Sequence, residues 1–104
     1  MSPNMLRITI QEKPEAAVIK LEGRIAGPWV AELSRVWVET APQLTYKNLA
    51  LDLRNVTYAD TAGTQVLRGI YAQTRAELVA GTPWTQFLAE QITRDSAQPV
   101  EEEL

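Results

Sequence analysis

The stretch LDLRNVTYADTAGTQVLRG, residues 51–69, changes its hydrophobic period half-way along. Leu49, Leu51 and Leu53 alternate with their neighbours in the manner of a strand, and the dense apolar content over 48–53 suggests a central one. Beyond residue 60, Val66, Leu67, Ile70 and Tyr71 recur at helical spacing. The stretch therefore predicts a strand over 48–53, an exit loop over 54–60 and a helix. Asp60-Thr61-Ala62-Gly63 stands at the joint.

Working outward, Met5–Ile10 alternates as a half-buried strand, and 11–15, with Pro14, reads as a turn. Ala17–Glu22 reads as a second strand, antiparallel to the first because the connection is short. Gly23–Gly27 is expected to be a loop. Pro28 suits a first helical position, and Trp29, Val30, Leu33, Val36 and Trp37 follow at helical spacing. That helix is expected to stop near Thr40 or Ala41, before Pro42. On the far side, Ala76–Ala80 reads as a strand. Thr82-Pro83 starts a last helix with apolar residues Trp84, Phe87, Leu88 and Ile92. Trp37 and Trp84 are expected in the core and Trp29 partly exposed.

The order is β-β-α-β-α-β-α. Alternation in the later half implies parallel strands and right-handed crossovers. The fold class expected is α/β, a four-stranded mixed sheet with three or more helices packed on it. A single domain is expected over 1–94, with 95–104 an acidic, flexible tail.

Composition narrows the chemistry. The chain has 104 residues, no cysteine and no histidine. Disulfides, thiolate metal sites and imidazole acid–base chemistry are excluded. Asp52 and Asp60, eight positions apart, make no credible catalytic pair without a third group. No catalytic residue, metal site or cofactor is expected. Gly23-x3-Gly27 lacks the Gly-Lys-Ser/Thr ending of a phosphate loop. The net charge of −3 comes from the C-terminal end, since residues 1–94 hold ten basic and nine acidic residues. The basic residues are scattered, so no nucleic-acid partner is expected. No apolar run reaches the roughly 18 residues needed to span a bilayer, so no direct membrane insertion is expected either. The N-terminus does not read as a signal peptide, which makes the cytoplasm the expected location.

Two readings of the joint stay open. Asp60 is a good N-cap, and Asp-Thr at a helix start can be capping and nothing more. Thr61, at the first helical position and the carboxyl end of a parallel strand, also points its hydroxyl towards solvent, where sites gather in open α/β sheets. Gly63 allows a tight turn or a close approach by another surface.

The pattern of strand, short loop and Asp-[Ser/Thr]-x-Gly opening a helix resembles the STAS domain, the fold of anti-sigma-factor antagonists and sulfate-transporter domains. The resemblance covers about residues 5–92 and rests on IKLEGRI (19–25), LALDLRNVTYADTAG (49–63) and AELVAG (76–81). It implies a non-enzymatic regulatory domain that binds a protein partner. In antagonists the residue after the aspartate is phosphorylated by a partner kinase, and that position is Thr61. The partner implied is an anti-sigma factor or serine-kinase-like ATPase. The Asp-Thr-Ala-Gly spelling is also similar to the STAS subunit of lipid-transport ABC systems, which implies an ABC transporter ATPase subunit as the alternative partner. A homodimer is left open. The partner-binding residues implied are Asp60, Thr61, Gly63 and Thr64, with Tyr58 and Arg68 as neighbours. Ala26 stands where many antagonists carry an acidic residue.

Overall fold

The computed structural model describes residues 5–97. The elements are β1 (Leu6–Glu12), β2 (Ala16–Ile25), α1 (Pro28–Leu44), β3 (Asn48–Ala59), α2 (Thr61–Thr74), β4 (Glu77–Val79) and α3 (Pro83–Ala97). The expected order and fold class hold. The sheet order is β1-β2-β3-β4, with β1 antiparallel to β2 and the remaining pairs parallel. The helices share one face, since α2 packs against both α1 and α3. The expected acidic tail falls mainly on residues 98–104, outside the described residues.

Register explains why one face is covered. Ile8 lies opposite Leu21, and Ile19 opposite Leu51, so the apolar positions of three strands point the same way. Leu21, Leu51 and Leu53 are fully buried there, under Leu33, Leu67 and Ile92 from the three helices. The other face carries Arg7, Thr9, Lys20, Glu22 and Asp52, as period-two alternation requires.

Several boundaries differ from the sequence reading. Gly23 is not in a loop, because β2 runs on to Ile25. Pairing with β3 slips around Gly23, where φ is +103°, and a Cβ there would collide with the Met5 carbonyl oxygen. β3 likewise runs on to Ala59 through the expected exit loop, because β2 continues beside it. It carries one extra residue at each of two irregularities, opposite Lys20–Glu22 and opposite Gly23–Arg24. α1 passes through Pro42 to Leu44. Proline removes one i→i−4 donor. Its acceptor would be Val38, on the solvent side, while Leu44 is buried and holds the last turn to the core.

The start of α3 corrects a core assignment. Thr85 is buried, and its hydroxyl accepts from the Gly81 and Thr82 backbone N–H groups at 3.0 and 2.9 Å. The Thr85 N–H in turn donates to Thr82 Oγ1 at 3.0 Å. This reciprocal cap turns Thr85, Leu88 and Ile92 inward. Trp84 and Phe87, expected on the apolar face, are left 37% and 56% exposed. Trp37 is buried as expected, and its indole N–H donates to Gln73 Oε1 at 2.8 Å between α1 and α2.

Candidate functional site

The joint lies where β3 ends and α2 begins. Asp60 is extended, with φ −82° and ψ −179°, as an N-cap should be. Its Oδ1 accepts from the Gly63 N–H at 2.7 Å, and its Oδ2 from the Gly27 N–H at 3.4 Å. Its own N–H donates to the Ile25 carbonyl at 3.1 Å. One residue thus caps α2 and ties down the segment between β2 and α1.

Gly63 is buried against that segment. A Cβ on it would collide with the Ile25 carbonyl oxygen and lie 2.8 Å from Ile25 Cγ2. The close approach it permits is therefore within the chain, and Gly63 offers a partner no side chain. Its role is to seat α2 on the end of β2.

The two threonines of this turn differ. Thr64 Oγ1 donates to the Asp60 carbonyl at 2.9 Å, so that hydroxyl serves the first turn. Thr61 is exposed, and its hydroxyl makes no hydrogen bond among the described residues. It is the hydroxyl that the fold leaves over.

A groove of about 230 Å³ opens beside it. Thr61, Thr64 and Arg68 of α2 form one wall, Phe87 and Gln91 of α3 the other, and Ala59 and Asp60 close the end. Arg68 Nε donates to the Gln91 carbonyl at 3.2 Å across the groove. Neither Phe87 nor Gln91 is among the site residues expected from sequence, which places Phe87 on the apolar face of the last helix and does not single out Gln91. Tyr58 lies at the same end of the sheet but does not line the groove. Its ring lies under the Arg24 guanidinium, 4.4 Å from the ring centroid. Arg24 borders a second depression, about 480 Å³, shared with Ala26, Gly27, Pro28 and Trp29.

The remaining carboxylate of interest is structural. Asp52 is buried on the helix-free face and accepts from Arg54 Nε at 3.0 Å and Nη2 at 2.8 Å. Those hydrogen bonds hold its carboxyl below the usual range, against the opposing effect of burial. The pair stabilises the fold above the unfolded carboxylate range, and that contribution is lost as pH falls through the folded value. Among the described residues no three metal-ligating side chains gather, and no helix is long and apolar enough to cross a membrane.

The family model of the STAS domain matches residues 7–80. The chain belongs to the STAS domain family. A solved structure, an anti-sigma factor antagonist from Mycobacterium paratuberculosis, superposes with a TM-score of 0.76 at 19% identity. The match covers 99% of this chain and 91% of that one. At that identity the likeness speaks for the fold. No curated protein matches the sequence. As a STAS domain, the chain presents Thr61 at the start of α2, where the Asp-Thr-Ala-Gly resemblance expects the functional hydroxyl.

Proposed function

We propose that this STAS domain is a non-enzymatic regulatory protein, anti-sigma-factor-antagonist-like, that docks a protein partner over the start of α2. The observation that carries this reading is the exposed Thr61 hydroxyl, which has no structural task, beside a Thr64 hydroxyl that has one. The partner is an anti-sigma factor with a serine-kinase-like ATPase fold. It transfers the γ-phosphoryl of ATP to Thr61 Oγ1, with loss of the hydroxyl proton and release of ADP. The product carries about −1.5 to −2 of charge. A docked surface would have to desolvate that charge, so modification ends binding. The reading brings a cytoplasmic location with it, because such a kinase draws on intracellular ATP.

The test is affinity capture with wild-type, Thr61→Ala and Thr61→Glu baits. A kinase-like ATPase held by wild type and Thr61→Ala but lost with Thr61→Glu supports the switch. Equal capture by all three sinks it.

A second reading is favoured by Phe87, whose exposed ring gives the groove an apolar wall that a permanent partner could bury without any modification. Here the partner is the ATPase subunit of an ABC-type lipid transporter. Both Thr61 substitutions then weaken binding, because contact itself is what counts.

A further inference from the structure

We propose that β1 is a dimer edge, pairing antiparallel with β1 of a second copy of this chain so that Ile8 of each copy stands opposite Ile8 of the other. The inference is independent of what happens at Thr61.

β1 and β4 are the two edges of the sheet. β4 has three residues, too short to template another strand. β1 has seven, LRITIQE, with no proline and no lysine to blunt the edge. Its register with β2 runs from Leu6 to Glu12 without a slip, whereas β2 slips against β3, so no bulge turns this edge aside. In an antiparallel pair, alternate residues turn their backbone groups towards the neighbour. The Lys13 N–H donates to the Ala16 carbonyl and the Arg24 N–H to the Met5 carbonyl, so the odd-numbered residues bond to β2. Leu6, Ile8 and Ile10 therefore turn their N–H and C=O groups outward, and among the described residues no strand meets them.

The edge is complementary to itself. Pairing about a two-fold axis perpendicular to the sheet keeps the helices of both copies on one face. With Ile8 at the axis, Leu6 meets Ile10 of the second copy and Arg7 meets its Thr9. The apolar row of the covered face then continues from copy to copy, and no like charges stand opposite. The next register in one direction sets Arg7 against Arg7, and in the other sets Leu6 against Glu12, so charge selects the register. Helix α1 packs on β2, and α2 and α3 on β3, which leaves Ile8 and Ile10 half-buried at the rim of the helical layer. The second copy brings the same apolar residues to that rim. Because the two β1 strands run in opposite directions, the dimer holds its two Thr61 corners at opposite ends, each open to a partner.

The experiment needs only the full chain. Sedimentation equilibrium from about 10 µM to about 1 mM should show the mass rising from one chain towards two, with a Kd on the order of 100 µM for a contact at the small end of protein interfaces. The mass of one chain at the highest concentration overturns the proposal. Ile8→Pro removes an outward donor that β2 does not use, and should keep the single-chain mass throughout. Far-UV circular dichroism checks that this variant is folded; a folded Ile8→Pro with the wild-type Kd also overturns the proposal. Two variants on the helix-free face leave the core untouched. Thr9→Glu sets a carboxylate opposite Arg7 of the second copy at two symmetric places and should tighten the dimer about fivefold, while Thr9→Lys should loosen it by about as much. Equal Kd values for these two overturn the register and the proposal with it.

Discussion

Helices α2 and α3 both open with an oxygen-bearing cap and a second threonine nearby, and they spend these groups differently. At α3, Thr82 and Thr85 satisfy each other's backbone N–H groups, and Thr85 is buried in doing so. Both hydroxyls are consumed by the fold. At α2, a carboxylate does the capping, Thr64 bonds back to the Asp60 carbonyl, and Thr61 is left facing solvent. The contrast separates a threonine that a helix needs from one that it merely carries. At α2 the aspartate accounts for the cap without help from Thr61.

Substitutions at the two helix starts should reproduce this contrast in order of size, read by urea unfolding. Gly63→Ala should cost the most, about 3 kcal/mol, because its Cβ would press on the Ile25 carbonyl oxygen, the Ile25 side chain and the capping Asp60 carboxylate. A loss under about 1 kcal/mol would mean that α2 sits less tightly on β2 than the geometry implies. Thr85→Val should cost about 2 kcal/mol, since it keeps the shape but removes the acceptor of two backbone N–H groups. Asp60→Ala should cost about 1 kcal/mol, as for an ordinary N-cap. Thr61→Ala should stay within about 0.5 kcal/mol, as surface changes do. If Thr61→Ala were as costly as Thr85→Val, the hydroxyl would be structural at both helices and the contrast would collapse.

Much of the architecture could be read from the sequence because it rests on period. Strands at period two and helices near 3.6 were enough to order all seven elements and to predict parallel pairing in the later half. The errors came where a tertiary contact overrode a local signal. Pro42 marks a helix end by backbone chemistry, but burial of Leu44 carries α1 past it. β3 outlasts its apolar run because β2 continues alongside. Trp84 and Phe87 look like core by hydrophobicity alone. The Thr-x-x-Thr spacing of 82–85 held the missing clue: a buried Thr85 turns inward the helix line through Leu88 and Ile92 and leaves Phe87 on the flank. The same rotation brings Phe87 and Gln91 against α2, a meeting of residues about 25 positions apart that no local pattern encodes. Within the joint itself, Asp60 as cap and Thr61 as the exposed hydroxyl were legible, because both depend on the chain's nearest neighbours. The contact of Gly63 with Ile25 was not.

The Asp60 carboxylate has one oxygen on α2 and the other on the Gly27 amide. A partner that grips the Gly27 segment therefore also pulls on the start of α2, and one that presses on α2 is felt at Gly27. Alanine substitutions in the two places should give binding losses that do not sum, with the discrepancy largest when Asp60 is intact and vanishing in Asp60→Ala. The corner would then behave as one hinge pin rather than as two adjacent patches.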